Sequence, residues 1–336
     1  MDQATNRSFQ AFCVNHNGKT FSRKLITLTT DDLPDDDVLI RVHYSDINYK
    51  DGLAAVPNGK IVRSYPFIPG IDLAGDVVAS CDPRFQQGDL VLATGYGIGV
   101  THPGGFSEYA CLPGEWLLPL PETMTPAEAM TYGTAGLTAA LSVCRLEENG
   151  LTPASGKILV TGATGGVGSL TVAMLSRLGY HVVAATGKET AHHYLQQLGA
   201  EEVVPRSLFD HKGKIKPLSH QEWAGAVDTV GGHVLASVLS RIRFHGVVIA
   251  CGNAGGSDVP TSVFPFILRG ISLFGIDSTY CPLEQRRTVW QRLAGDLSIR
   301  THFDAIRKEI AFSELPNQLP LILNGSHIGR TVVKVH

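Results

Sequence analysis

A glycine-rich turn set between an apolar run and a helix-competent segment constrains this chain more than any other feature. The stretch is Lys157–Ser169, KILVTGATGGVGS. Ile158–Val160 is short and apolar, and Val167–Leu178 can form a helix. Strand, tight turn and helix in that order open a βαβ unit. Gly162, Gly165 and Gly168 stand three apart, with Gly166 as an extra. Such glycines let the backbone approach a pyrophosphate, whose charge then rests on N–H groups at the helix N-terminus. Thr164, Gly165, Gly166 and Val167 are the residues expected to meet it. Glycine turns also occur in α/β folds without this role, so the next strand matters.

That strand is His181–Thr186, HVVAAT, and it ends in Thr186-Gly187-Lys188. A site for NAD places Asp or Glu about 20 residues past the fingerprint, on the ribose 2′-OH. A hydroxyl, a flexible glycine and a cation suit a 2′-phosphate instead. Arg206, after the third expected strand, is a second cation for it. Glu189 is the competing residue, able to reach the ribose if the loop is one residue longer. The reading favours NADP(H) over NAD(H).

The chain has 336 residues, 43% hydrophobic and 18% charged, with a net charge of −3. That allows two domains and a large core, and gives no reason to expect nucleic acid or a membrane as partner. The N-terminal MDQATNRSFQ is polar and reads as no signal peptide; the expected location is the cytoplasm. Six cysteines, at 13, 81, 111, 144, 251 and 281, are scattered without a CxxC pair. That spacing fits neither a structural zinc site nor a disulfide framework.

Residues 1–130 read as β-rich, with strands at Val38–Tyr44, Asp76–Ala79 and Leu90–Ala93 and dense Pro and Gly between 57 and 121. Thr125-Pro126-Ala127-Glu128 reads as a helix start. Strands near 158–161, 181–186, 201–204, 226–229, 246–251 and 271–276 then alternate with helices near 166–178, 190–198, 233–242 and 262–269. This alternation predicts a doubly wound parallel sheet. Pro282–Asp296 reads as a helix and Thr331–Val335 as a closing strand that returns to the first domain. The expected division is 1–130 with 277–336, and 131–276. The last strand of the parallel sheet, Ile271–Ile276, would be an exposed apolar edge in a monomer, so a homodimer is expected.

Further segments carry a resemblance. They are Ile47-Asn48-Tyr49-Lys50-Asp51, Gly59-Lys60-Ile61-Val62-Arg63, Pro66–Gly75 (PFIPGIDLAG), Trp223–Gly231 (WAGAVDTVG) and Pro265–Arg269 (PFILR). With the domain order they resemble the medium-chain dehydrogenase/reductase superfamily over the whole chain, in its YhdH/YhfP quinone-oxidoreductase branch. The resemblance implies an α/β fold, a Rossmann domain plus a GroES-like β-rich catalytic domain. It implies NADPH-dependent reduction of an activated C=C bond, as in acrylyl-CoA reductases, on a small-molecule substrate, either an acyl-CoA or a quinone or enone. Zinc-dependent members carry Cys where this chain has Asn48 or its neighbours, and Gly-His-Glu where it has Gly70-Ile71-Asp72. No zinc is therefore expected, because a Lewis acid needs soft or imidazole ligands.

In such a reduction charge builds on the thioester oxygen and a proton must reach the α-carbon. Tyr49 is the candidate for that proton, or for packing against the nicotinamide, as the matching tyrosine does in the family. Asn48 either holds the site by hydrogen bonding or serves the turn. Asp72 is expected to bond local backbone or Lys50. Asn253, after the fifth strand, is expected near the nicotinamide ribose, and the resemblance implies a cofactor contact for Asn324. Lys60 and Arg63 either meet the phosphates of a CoA substrate or are simply solvated. A non-catalytic NADPH-binding protein is the alternative from another class; the intact Asn48–Asp51 segment speaks against it.

Overall fold

The structure is a computed structural model that describes residues 6–210 and 215–336. Part of the N-terminal segment read for a signal peptide, residues 1–5, lies outside the described residues. The chain divides into two compact units. One comprises Met1–Thr134, Thr279–Gln291 and Arg307–His336; the other comprises Ala135–Ser278 and Arg292–Ile306. The expected division gave all of 277–336 to the first unit, but Arg292–Ile306 packs with the second. Arg292 bonds Glu147 and Asp296, and Arg177 Nε donates to the Asp296 carbonyl at 2.7 Å.

The first unit is β-rich. β1 (Ser8–His16) and β2 (Phe21–Thr29) form an antiparallel pair. β3 (Val38–Ile47), longer than the sequence suggested, is followed at once by the short helix α1 (Tyr49–Ala54). β4 (Asp72–Ser80), β5 (Leu90–Thr94), β6 (Tyr109–Leu112) and β7 (Leu118–Pro119) complete the N-terminal part. Alternate apolar residues of these strands, among them Val38, Ile40, Val42, Leu73, Val77 and Val91, fill the core with Phe12 and Phe106, which meet edge to face at 6.1 Å. Fully burying side chains of this kind contributes about 1.5–3 kcal/mol each.

Helix α2 (Pro126–Glu148) starts as the sequence indicates: Thr125 N–H donates to Glu128 Oε2 at 2.8 Å, and Glu128 N–H donates to Thr125 Oγ1 at 3.3 Å. It is not one straight helix. Gly133 breaks it at φ +51, ψ −153, a conformation open mainly to glycine.

The second unit holds six parallel strands: β8 (Ile158–Val160), β9 (Val182–Thr186), β10 (Glu202–Pro205), β11 (Trp223–Asp228), β12 (Ile242–Ala250) and β13 (Ser272–Gly275). Their order is β10-β9-β8-β11-β12-β13, the two-halved arrangement of a dinucleotide-binding fold, which reverses direction between β8 and β11. Helices α3 (Gly166–Arg177), α4 (His192–Gln197), α5 (Gly232–Arg241) and α6 (Phe264–Arg269) connect the strands. The PFILR segment has a structural reason. Buried Arg269 donates to the carbonyls of Ser240 and Ile242 at 2.9 and 3.0 Å, and to Ser219, so α6 caps the end of α5.

The C-terminal part of the first unit supplies β14 (Arg307–Ala311) and β15 (Arg330–Lys334). β15 pairs antiparallel with β3, Thr331 opposite Ile47 and Lys334 opposite Tyr44. The closing strand thus returns to the first unit, as a lone strand must to satisfy its backbone.

Candidate active site

The residues expected to bind the nucleotide lie at the carboxyl ends of the parallel strands of the second unit. Gly162 leaves β8 at φ +58, and a Cβ there would strike Thr229. Gly165 occupies the cap position of α3, and the first helical bond runs from Ser169 N–H to the Gly165 carbonyl at 2.9 Å. The N–H groups of Gly166, Val167 and Gly168 precede that bond and belong to the unsatisfied first turn. The space beside Gly165 is open: a Cβ there would meet only the Gly162 carbonyl oxygen, at 3.4 Å. A pyrophosphate could be held there. Thr164, next to Gly165, is buried.

Sequence reasoning missed the network that holds this turn. Thr161 Oγ1 donates to Asp228 Oδ1 at 2.6 Å, Gly231 N–H donates to Asp228 Oδ2 at 2.6 Å, and Thr229 Oγ1 donates to the Thr161 carbonyl at 3.0 Å. Burial pushes the Asp228 carboxyl upward, against the Thr161 and Gly231 bonds that favour its charge. The signal available was a Thr immediately before the first glycine and an Asp closing an apolar strand.

At the end of β9, Thr186 is buried and its Oγ1 accepts the Lys188 N–H at 3.1 Å. Arg206 lies over Gly187: a Cβ on that glycine would sit 3.4 Å from the Arg206 Cζ and Nε. Arg206 thus lies beside the Thr186-Gly187-Lys188 turn. Burial holds the Lys188 amine below its ordinary value, which an arriving anion would reverse. Glu189 follows, exposed, as the first residue of a 3-10 turn. Asn253 lines an open recess of about 620 Å³ together with Cys251, Gly252, Gly275, Ile276 and Asp277, at the carboxyl ends of β12 and β13.

The residues expected to serve the reaction lie on the first unit. Tyr49 opens α1 and is half exposed, at 52%. Asn48, in the cap position before it, is buried and fully committed. Its Nδ2 donates to Asp46 Oδ1 at 2.6 Å and to Asp72 Oδ2 at 2.8 Å, and its Oδ1 accepts from Arg330 Nη1 at 3.1 Å. Both amide hydrogens of Asn48 and its oxygen are thus engaged by buried neighbours. Asp51 accepts from the backbone N–H of Asn48 at 2.8 Å and of Ile71 at 3.0 Å, which pins the start of α1 to the strand below.

Asp72 corrects an expectation. Lys50 is not its partner. Besides Asn48 it takes the Thr134 N–H at 2.7 Å and the Thr134 hydroxyl at 2.5 Å. It thus caps the part of α2 that restarts after the Gly133 break. Arg330 serves the other side of the break, donating to the Thr131 carbonyl at 3.2 Å and to Asp46 Oδ2 at 2.6 Å. A Cβ at Gly133 would collide with Asp46 and sit 2.7 Å from Asp72 Oδ2, so the glycine makes room for the carboxylates. Burial, with Asp72 and Asp51 nearby, pushes the Asp46 carboxyl well up, and Arg330 pulls it back. Burial likewise raises Asp51 to about 7.

Arg330 and Asp46 were not legible as site residues, because the β3–β15 register brings them together across 284 residues. Asn324 closes a 3-10 turn, Leu319–Asn324, that packs on α1; a Cβ at Gly52 would meet Ile322 and Leu323. Asn324 thus stands close to the helix that carries Tyr49. These residues do not fit a zinc ion. The cation that balances the buried carboxylates is a guanidinium, no His or Cys joins them, and the atoms that could ligate already hold hydrogen bonds. Among the described residues no group of three His, Cys, Asp or Glu side chains is arranged to hold a metal.

Family models match two stretches of the chain. The model of the zinc-binding dehydrogenase family matches residues 166–295, and that of the alcohol dehydrogenase GroES-like domain matches 34–122. YhfP of Bacillus subtilis is 54% identical over 97% of this chain and 99% of its own length. Its crystal structure with NAD bound matches with a TM-score of 0.95 over 98% of this chain and all of that one, 100%. Acrylyl-CoA reductase AcuI of Ruegeria pomeroyi is 46% identical over 95% of this chain and 96% of its own. The crystal structure of the YhdH oxidoreductase of Salmonella enterica in complex with NADP has 45% identity and a TM-score of 0.94, covering 97% of this chain and 100% of that one. The chain therefore belongs to the medium-chain dehydrogenase/reductase superfamily, in its YhdH/YhfP branch of oxidoreductases.

Proposed function

We propose that this oxidoreductase reduces the C=C bond of a short enoyl-CoA, acrylyl-CoA to propionyl-CoA, with NADPH. The observation that carries the reading is Tyr49, half exposed above a network whose buried carboxylates are balanced by Arg330. That arrangement supplies a rigid aromatic face and no Lewis acid, which suits an activated C=C bond better than an alcohol. Bound NADPH supplies a hydride to the β-carbon of the substrate. Thr164, Gly165, Gly166 and Val167 hold the pyrophosphate on free N–H groups. Thr186, Gly187, Lys188 and Arg206 receive the 2′-phosphate. Asn253 and Asn324 bond the ribose and nicotinamide end.

Tyr49 presents its ring to the reacting atoms, and Asn48 fixes its approach through the buried bonds behind it. Holding reactants in register is itself a large part of such catalysis. The α-carbon takes its proton from water or from the Tyr49 phenol. The NADP complex of the Salmonella relative supports the cofactor choice; the NAD complex of the Bacillus relative makes it worth testing directly.

The test is loss of reduced-cofactor absorbance with acrylyl-CoA, beside NADH and beside a simple quinone. Fast turnover with acrylyl-CoA and NADPH alone is expected. Better turnover with the quinone would move the assignment to quinone or enone reduction, and NADPH binding without turnover of either would indicate a non-catalytic protein. The same reading places the enzyme in the cytoplasm, supported by six free cysteines. It also makes the enzyme a homodimer. β13 is an edge strand, and beside it Ile267 and Leu268 are 68% and 54% exposed. A monomeric mass by light scattering would refute the dimer.

A further inference from the structure

Lys60 adopts φ +57, a left-handed conformation that a lysine rarely takes. Gly59 before it packs so closely on α1 that a Cβ would come within 3.0 Å of the Leu53 Cα. The turn is therefore clamped to the helix that carries Tyr49, and its strain is sustained by that clamp. Strain held in this way at a charged residue points to function. Lys60 and Arg63 are both exposed, and Lys50 follows Tyr49 directly. From the neighbouring β2, Arg23 Nη1 donates to the Ala55 carbonyl, at the end of α1, at 3.3 Å. Lys50 thus lies on one helix of six residues, about 9 Å long at 1.5 Å per residue. Arg23 bonds the end of that helix, Lys60 follows a turn packed on it, and Arg63 follows three residues on.

Acids are scarce in this segment. Between Asn48 and Tyr65 the only one is Asp51, which is fully buried. Among the described residues Lys50, Lys60 and Arg63 have neither a carboxylate nor a hydrogen-bond partner. Some exposed cations elsewhere are paired, Arg41 with Asp76, Arg84 with Asp82 and Lys157 with Glu202. The net charge of −3 makes an unbalanced basic face the less expected.

We propose that Lys60 and Arg63, with Arg23 and Lys50, bind the phosphates of the coenzyme A moiety of the substrate. This rests on the acyl-CoA reading of the site. A CoA thioester carries its diphosphate and 3′-phosphate at the far end of a flexible arm, away from the bond that reacts. Such a ligand needs an anion site near Tyr49 but separate from it, as here. An arginine fork takes two phosphate oxygens at once, and a lysine supplies a point charge. A quinone has nothing to bind there, so this face discriminates between the two substrate classes.

The test is a Lys60→Asn/Arg63→Gln double variant. Asn tolerates the left-handed turn, so the backbone is preserved. Protein saturated with NADP+ is titrated with coenzyme A by calorimetry, and kcat and KM are measured for acrylyl-CoA and for acrylyl-N-acetylcysteamine, which lacks the phosphates. CoA affinity is expected to fall about ten-fold, as two partly solvated ion pairs allow. KM for acrylyl-CoA should rise equally with kcat unchanged, and the truncated thioester should be unaffected. Arg63→Glu, which leaves the strained turn alone, should also weaken CoA binding. Unchanged CoA affinity, or equal losses with both thioesters, would overturn the proposal. Failure of the acyl-CoA reading is seen separately, in a wild-type protein that turns over neither thioester.

Discussion

Replacing Arg330 with Met should cost the first unit about 4 kcal/mol. The pair it forms with Asp46 is 2.6 Å long, with side chains only 3% and 0% exposed. An ion pair at the surface contributes about 0–1 kcal/mol, but breaking a buried one costs about 3–5 kcal/mol, because the remaining charge is stranded. Here the stranded group is Asp46, and the Thr131 and Ile47 carbonyls and the Asn48 Oδ1 lose donors as well. The loss corresponds to a roughly thousand-fold change in the folded-to-unfolded ratio. The assay is urea unfolding followed by tryptophan emission. Trp116 and Trp290 belong to the first unit and Trp223 to the second. A Trp223→Phe background therefore reports the first unit alone, which matters because two units need not unfold together. Adding Asp46→Asn to Arg330→Met should recover about half the loss, since it removes the uncompensated charge. Lower pH should shrink the loss too: without Arg330 the raised Asp46 carboxyl takes a proton more readily in the folded state, so stability rises as pH falls. A loss under about 1 kcal/mol would refute the reasoning, because Arg330 would then behave as a surface charge.

Asp51 sets a second pH dependence. Its carboxyl is raised from 3.8 to about 7 by burial, so between those values the folded chain holds a proton that the unfolded chain releases. Stability from this group falls as pH rises through that window, and Asp51→Asn should flatten the slope of the urea midpoint. Replacing both Lys188 and Arg206 with Ala should raise KM for NADPH about 30-fold, as loss of two charge-assisted phosphate contacts allows. KM for NADH should stay the same; equal losses would mean that the two cations do not meet the 2′-phosphate. Tyr49→Phe should keep kcat within about three-fold, and Tyr49→Ala should lower it about 100-fold, since a lost packing surface misplaces the reactants. A large loss in Tyr49→Phe alone would instead make the phenol the proton donor.

Local chemistry makes much of this protein legible in its amino-acid sequence. The glycine turn, the alternation of short apolar runs with helical segments and the Thr125–Glu128 helix start depend on neighbours in the chain, and each lies where the sequence places it. The strand that ends in Thr186 can be read for the same reason, from its run of apolar residues. Other features depend on contacts between distant segments. Arg330 reaches Asp46 only because β15 pairs with β3 in one register. Asp72 reads as a partner for local backbone or Lys50 until the break at Gly133 turns the Thr134 N–H toward it. Lys60 and Arg63 read either as phosphate ligands or as solvated cations, and the packing of the Gly59 turn against Leu53 is visible only in the folded chain. Backbone preference and hydrophobic pattern are short-range properties and specify the elements by themselves. The partner of a buried charge is chosen by strand register and by the path of the chain, and those are decided only when the whole sheet closes.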